Sequence, residues 1–493
     1  MRRILAYVLC VSMLFVMVLG TTGFAAVNDE SRGSITVNGV QNGVTVKAYK
    51  IIQVNFKEGY FTGYSYVDSV KSWMKTKTET GKDYASLADD ISALGKKSST
   101  FQEGFYADLA AAITANPASF GLVTYNSPTK SGSALVFNPV ELGQYLLLAE
   151  GGDYIYHATV ATVAPKLVNN EYQVENAVVD IKSRKVTIDK KVNGAEEAVA
   201  GLGETVNYVV TADVPVYPAN SINKNFVIFD QLSAGLAYTA NSIKVEGIKA
   251  DSTVTDITSV ASPSIVGNAI VIDFSSKYND ITIYKAIKVS YQATITADAV
   301  VGGTGNDNTA TLIYANNPNN SSSSTPKTDI SKVYTYGLQV VKVDGDDTTT
   351  KLAGAIFRLE IKDENGDWKD VGRTPAELTT DAKGEITVKQ LKPGFYRLVE
   401  LQAPDGYNML TSPIEFTITA DKDTNNKLTG TINNTYGSDT AICYLTKTIN
   451  NFKTLLPSTG GMGTVIFTVV GIVLMAGAVA FLIIRKRMSS AIK

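Results

Sequence analysis

Along most of the chain, apolar and polar positions exchange every residue. Short runs rich in Val, Ile, Thr and Tyr are separated by clusters of Gly, Asn and Asp. Period-two alternation bounded by turn residues predicts half-buried strands, and many short strands predict stacked sheets. Ser34–Val37 and Val44–Tyr49 are the opening examples, and Tyr154–Val163 is another. Helical spacing with good helix formers is confined to Val67–Lys75, Ser86–Leu94 and Thr100–Ala115. The pattern predicts a mainly β chain of tandem β-sandwich domains, with a mixed α+β N-terminal domain.

Two uniformly apolar stretches break the alternation, one near each end. Met1-Arg2-Arg3 leads into Ile4–Leu19, followed by Gly23-Phe24-Ala25-Ala26. A basic start, an apolar middle and small residues at the end predict a secretory signal over residues 1–25. The apolar part is short for a first membrane helix. Near the C-terminus, Val465–Ile484 has the length a bilayer needs, and Arg485, Lys486 and Arg487 open a short tail, residues 485–493. That basic cluster keeps the tail cytoplasmic, so everything between signal and span is expected outside. Just before the span stands Leu456-Pro457-Ser458-Thr459-Gly460.

Composition decides how the exterior part is held together. The chain has 493 residues, enough for about three domains. Composition shifts place them at residues 26–182, 183–330 and 331–455, with Asn316–Thr328 read as a linker between the last two. A net charge of −2 leaves no basic footprint for nucleic acid. Of the two cysteines, Cys10 falls in the signal and Cys443 remains alone, so a secreted chain must manage without an internal disulfide. The single histidine, His157, lies in a strand-like run and is expected to be a packed strand residue. One Cys and one His exclude Ser/His triads, Cys/His dyads and Cys/His zinc sites, and no cofactor or metal is expected. Asp363-Glu364-Asn365-Gly366-Asp367 lacks the spacing of an EF-hand and fits a hairpin turn better.

The same alternation exposes a chemical oddity. In Tyr336–Lys342 the residues Leu338, Val340 and Lys342 share one face, and Tyr396, Leu398 and Glu400 share another. If these faces are inward, a buried ammonium meets a buried carboxylate, which is costly. One solution is a buried ion pair. The other is covalent: burial favours the neutral amine and the protonated acid. The amine can then attack an asparagine side-chain carbonyl that the acid polarises, leaving an amide crosslink and ammonia. In the second region Val186, Ile188, Lys190 and Val192 share a face. So do Phe226, Ile228 and Asp230, and again Asn308, Ala310, Leu312 and Tyr314.

Several of these residues resemble known motifs. Leu456–Gly460 followed by a span and a basic tail resembles a sortase sorting signal. That implies cleavage between Thr459 and Gly460 and transfer of the Thr459 carbonyl to an amine. Tyr396-x-Leu398-x-Glu400-x-x-Ala403-Pro404-x-Gly406-Tyr407 matches the pilin E-box at every position, and Lys342-Val343-Asp344 with Leu352-Ala353-Gly354-Ala355-x-Phe357 is similar to the collagen-adhesin B-type domain. That family implies a bond from Lys342 to an Asn on the last strand, Ile442–Asn451, catalysed by Glu400. Asn451 shares its face with Leu445 and Ile449 and is chosen; Asn450 is the alternative if a bulge reverses the phase. The second region resembles the second domain of backbone pilins, which implies Lys190–Asn308 beside Asp230, with Lys191 the alternative to Lys190.

The whole chain thus resembles a Gram-positive sortase-assembled major pilin, and the resemblance implies immunoglobulin-like sandwiches. Shaft growth in that family needs an acceptor lysine, usually in a Tyr-Pro-Lys-Asn-like motif. Val216-Tyr217-Pro218-Ala219-Asn220 has Ala219 in the lysine's place and lies inside the second region. At the matching position before that region stands Lys182, without a Tyr-Pro signature, and Lys185 is next. The acceptor should be exposed on a mobile junction. The resemblance implies sortases, identical subunits, peptidoglycan and minor pilins as partners, with a host-surface ligand open. A wall-anchored adhesin or minor tip or basal pilin is the alternative; a free-standing adhesin needs the sorting signal but no acceptor lysine. An extracellular glycosidase has little support, because the acidic residues sit opposite lysines rather than in a cleft.

Overall fold

A computed structural model describes residues 27–169, 171–218, 220–373, 375–432, 443–453 and 462–489. The signal at 1–25, Ala219, Thr459 and Gly460 lie outside the described residues. The chain is mainly β, as the alternation requires, and its sheets pack in pairs as sandwiches.

In the first region a four-stranded sheet is built in the order Ala177–Asp180, Arg32–Asn38, Ala134–Glu141, Thr129–Ser131. It faces a larger sheet centred on Thr45–Lys57 and Gly143–Glu150. Because strand side chains alternate, that second sheet serves two cores. Tyr145 and Leu147 point into the sandwich with Ile35, Val37 and Phe137, while Leu146 and Ile51 point outward beneath the helices. The longer helices are Asp68–Lys75, with Val70 and Met74 buried one turn apart, and Ser99–Ala115; a single turn, Pro117–Phe120, follows. Ser98 caps the second by accepting the Phe101 N–H, and the chain leaves the helix at Asn116, before Pro117.

The expected helix at Ser86–Leu94 is not formed; only single 3₁₀ turns at Ala85–Leu87 and Leu94–Lys96 appear. Asp83 and Asp90 accept the backbone N–H groups of Ser86 and Ser92 (3.3 and 2.9 Å). Such local side-chain bonds compete with a helical ladder.

The second sandwich stacks a sheet ordered Ile188–Val192, Thr205–Asp213, Tyr284–Ile295, Lys244–Lys249, Val254–Asp256 on a sheet ordered Glu197–Val199, Thr325–Tyr334, Asn306–Tyr314, Phe226–Leu232, Ala269–Asp273, Ser264–Val266. This corrects the linker reading of Asn316–Thr328. Residues 325–334 pair along their length with Asn306–Tyr314, and the preceding loop is fastened by Asn223, whose Nδ2 donates to the Asn320 and Ser323 carbonyls (2.9 Å each). The stretch looked polar because the loop is rich in Asn and Ser and because the strand opens with the polar, partly buried Thr325 and Lys327 between exposed Pro326 and Thr328. The boundary between the chain's two compact units falls later, between Tyr334 and Thr335.

The third sandwich begins at Tyr336–Asp344, which pairs antiparallel with Glu385–Leu391 and parallel with the last strand, Tyr444–Asn451. Its facing sheet is ordered Trp368–Asp370, Ile356–Lys362, Gly394–Gln402, Ile414–Ile418. Asp363–Asp367 closes the hairpin between Ile356–Lys362 and Trp368–Asp370: Asp363 Oδ1 accepts the N–H groups of Asn365 and Asp367, with Gly366 at a positive φ of 87°. A final helix, Met462–Ser489, contains the apolar segment Ile466–Met488. It starts before and ends after the expected 465–484, carrying Lys486 and Arg487 in its last turn, where cations suit the carbonyl end.

Candidate functional site

Lys342 lies fully buried in the first strand of the third sandwich, on the face with Leu338 and Val340. The parallel register sets Lys342 beside Ile449 and Asp344 beside Asn451, so Asn451 stands one step further along the same inward face. Glu400 comes from the facing sheet, below Tyr396 and Leu398. The three side chains meet. Lys342 Nζ donates to Asn451 Oδ1 and lies 3.5 Å from Glu400 Oε1. Asn451 Nδ2 donates to both Glu400 oxygens (3.1 and 3.2 Å) and to the Asn408 carbonyl (2.9 Å). The Leu410 N–H fixes the carboxylate from the other side (2.7 Å).

One expectation changes here. Glu400 faces the amide nitrogen rather than the carbonyl it was expected to polarise. The Asn408 carbonyl accepts on the same side, so the NH₂ group must point there and Oδ1 must face the lysine.

Burial lowers the Lys342 ammonium to about 8, against a smaller opposing pull from Glu400. A chain in which Lys342 has no amide to contact, Asn451→Ala, makes this measurable. Between about 8 and the ordinary 10.5 its unfolded state binds the proton that the folded state has lost, so stability rises with pH across that window. Below about pH 8 the full burial cost is present. Denaturant unfolding of Asn451→Ala against Asn451→Ala/Lys342→Met should show the excess slope only in the former; parallel curves would contradict it.

In the second sandwich, Lys190, Asp230 and Asn308 are also buried and meet between the sheets. Lys190 comes from one sheet, while Asp230 and Asn308 come from adjacent strands of the other, Asn308 pairing opposite Leu232. Lys190 Nζ lies 2.7 Å from both Asp230 oxygens. Burial is the main effect lowering its ammonium pKa, with Asp230 opposing. Tyr291, which the sequence reading did not single out, joins this group. Its hydroxyl accepts from Lys190 Nζ (3.1 Å) and Asn308 Nδ2 (2.5 Å) and donates to Asp230 Oδ2 (2.7 Å). A signal existed: Tyr291 sits in phase with the buried Val289, Ala293 and Ile295.

The alternatives fall elsewhere. Lys191 points to the opposite face, paired with Asp189 and Glu196, and Asn450 is exposed. Lys182 and Lys185 are exposed, but their junction is tethered rather than loose: Ser183–Lys185 pairs with Tyr154–Tyr156, and the Lys182 carbonyl accepts the His157 N–H (3.0 Å). His157 is held below its ordinary value chiefly by burial. In the 216–220 stretch Tyr217 is buried, its hydroxyl donating to the Asn225 carbonyl (2.5 Å).

Three family models match: a prealbumin-like fold domain over 337–432, a Gram-positive pilin backbone subunit 2 Cna-B-like domain over 202–318, and an LPXTG cell wall anchor motif over 448–489. The trypsin-resistant surface T6 protein of Streptococcus pyogenes serotype M6 is 25% identical over 563 aligned residues, 97% of this chain and 99% of that protein. Among solved structures, the T6 backbone pilin of serotype M6 S. pyogenes superposes with a TM-score of 0.64 at 21% identity, covering 87% of this chain and all of that one. The full-length major pilin SpaD of Corynebacterium diphtheriae follows at 0.54 and 19%, covering 87% and 100%. The C. diphtheriae major pilin SpaA, whose structure is described as pointing to a modular pilus assembly with stabilizing isopeptide bonds, follows at 0.51 and 16%, covering 86% and 100%.

Proposed function

As this chain belongs to the Gram-positive backbone pilins, extracellular structural subunits anchored to the cell wall, we propose that it forms a pilus shaft in which sortase links Thr459 of one subunit to Lys182 of the next, and in which each subunit carries two internal amides, Lys342–Asn451 and Lys190–Asn308. We take 26–182, 183–334 and 335–455 as its domains, the second boundary moved from 330 to follow the strand Thr325–Tyr334, with peptidoglycan as the final acceptor and minor pilins as further partners.

The observation that carries the reading is the buried lysine–carboxylate–asparagine group in each of two sandwiches. Two fully buried ion pairs carry a desolvation cost that is expensive in a domain of ordinary stability. Amide formation removes both charges. In the third sandwich the neutral Lys342 nitrogen attacks Cγ of Asn451. The new C–N bond forms as Cγ–Nδ2 breaks, and Glu400, within reach of both nitrogens, moves a proton from the attacking to the leaving one. Ammonia departs. The fold of the C. diphtheriae relative, for which isopeptide bonds are described, accords with this chemistry.

Mass spectrometry of trypsin-digested native fibres tests the whole reading. Peptides joining Lys342 to Asn451, Lys190 to Asn308 and Lys182 to Thr459 of another copy are expected. An exterior fragment that has lost no ammonia would sink the internal bonds. A single band in place of a sortase-dependent ladder would sink the shaft.

A further inference from the structure

The two reaction centres differ in a way the shared chemistry must accommodate. Glu400 touches both nitrogens between which the proton must move: 3.5 Å to Lys342 Nζ and 3.1 Å to Asn451 Nδ2. Asp230, one methylene shorter, binds Lys190 Nζ at 2.7 Å, but its link to the amide runs through the Tyr291 hydroxyl. That hydroxyl is bonded to the nucleophile, the carboxylate and the leaving nitrogen together. The amide oxygen, Asn308 Oδ1, is buried with no hydrogen-bond partner among the described residues, so the assistance the site offers lies on the nitrogen side.

We propose that Tyr291 is a catalytic residue of the second sandwich, relaying the proton from Lys190 to the ammonia that leaves Asn308. This rests on the reading of Lys190 and Asn308 as a crosslinking pair. The Lys190 ammonium first gives one proton to Asp230 and becomes a neutral amine. Its nitrogen attacks Cγ of Asn308, and the Cγ–Nδ2 bond breaks as the new C–N bond forms. The Tyr291 hydroxyl passes its proton to Nδ2 and recovers one from the attacking nitrogen. Ammonia leaves, the hydroxyl is restored, and Asp230 keeps the first proton, so the buried ion pair ends as neutral groups.

The surroundings suit a relay. Burial, reinforced by Asp230, holds the Tyr291 hydroxyl well above its ordinary 10, so it is fully protonated at neutral pH and available as the acid. Its ring is stacked on Tyr208 (5.2 Å between centroids, 21° between planes), which fixes where the hydroxyl stands.

The test uses the full exterior chain, pulse-expressed and chased, with the two crosslinked peptides quantified over time by mass spectrometry. In Tyr291→Phe the Lys190–Asn308 peptide should form at least about a hundredfold more slowly, the usual worth of a positioned acid–base. The Lys342–Asn451 peptide, formed in the same molecules, should keep its wild-type time course. Equal rates for Lys190–Asn308 in both chains would overturn the relay while leaving the crosslink intact. Absence of that peptide from the wild type would instead overturn the crosslink itself. Should Tyr291→Phe fail to fold its second sandwich, 3,5-difluorotyrosine at 291 decides, since it keeps the shape and makes the hydroxyl more acidic. A shifted pH–rate profile for Lys190–Asn308 is expected, and an unshifted one overturns the relay.

Discussion

Glu400→Ala is expected to yield a third sandwich that folds but never closes its Lys342–Asn451 amide, and that unfolds with about 4–5 kcal/mol less stability than the wild type. The estimate follows from chain entropy. The two residues are 109 positions apart, and a crosslink closing a loop of about 100 residues removes unfolded-state freedom worth about 4.7 kcal/mol, by analogy with disulfides. The fold itself should survive, because the strands of this sandwich are paired by backbone ladders in which the Glu400 side chain takes no part. Truncation also leaves Lys342 without its carboxylate, and burial then favours its neutral form more strongly. Glu400→Gln separates the two effects: it keeps the volume but cannot take up a proton, so the bond should still be missing. Intact mass reports the bond, and calorimetry reports the stability. A Glu400→Ala chain that is fully crosslinked and melts with the wild type would refute the assignment.

What could be read from the sequence follows the physics of alternation. Lys342, Glu400 and Asn451, and likewise Lys190, Asp230 and Asn308, were placed inward by counting every second residue, and each group does converge. A strand has one phase, so a single apolar neighbour such as Ile449 is enough to separate Asn451 from Asn450. Side-chain direction at the far end of a long residue has no such period. The sequence therefore could not say that Glu400 meets the amide nitrogen, which depends on the Asn408 carbonyl, or that Tyr291 bridges Lys190 and Asn308. Composition misled where polar residues are only partly buried between two sheets: Asn316–Thr328 looked like a linker, yet its end, Thr325 and Lys327 included, begins the strand Thr325–Tyr334. At Ser86–Leu94, helical spacing lost to aspartate side chains that bind the backbone first.

The two proposed amides, once formed, would also determine which parts of the chain carry a pull between subunits. Tension entering at Lys182 and leaving at Thr459 would pass through 182–190, cross to 308, run to 342, cross to 451 and continue to 459. The large loops closed by each amide lie outside that path, so strand ladders there need not resist the load.

Exchanging either attachment point should stop the fibre, with different side effects. Thr459→Ala removes the acyl donor, so both the ladder and wall attachment should vanish. Lys182→Ala removes only the nucleophile for growth, and a monomer passed to wall peptide should remain cell-bound as one band. The geometry at Lys182 suits an acceptor in a way opposite to Lys342. Its side chain is exposed, whereas Lys342 is fully buried. Its backbone is nevertheless held, by the His157 N–H on its carbonyl and by the pairing of Ser183–Lys185 with Tyr154–Tyr156. A solvated amine on a fixed backbone meets an incoming acyl group with little backbone freedom left to lose. Lys185, exposed at the end of the short strand that follows Lys182, is the control. Lys185→Ala should leave the ladder unchanged. A full ladder from Lys182→Ala cells, with the ladder lost in Lys185→Ala, would move the acceptor to Lys185. A full ladder from the double variant would place it elsewhere in the chain.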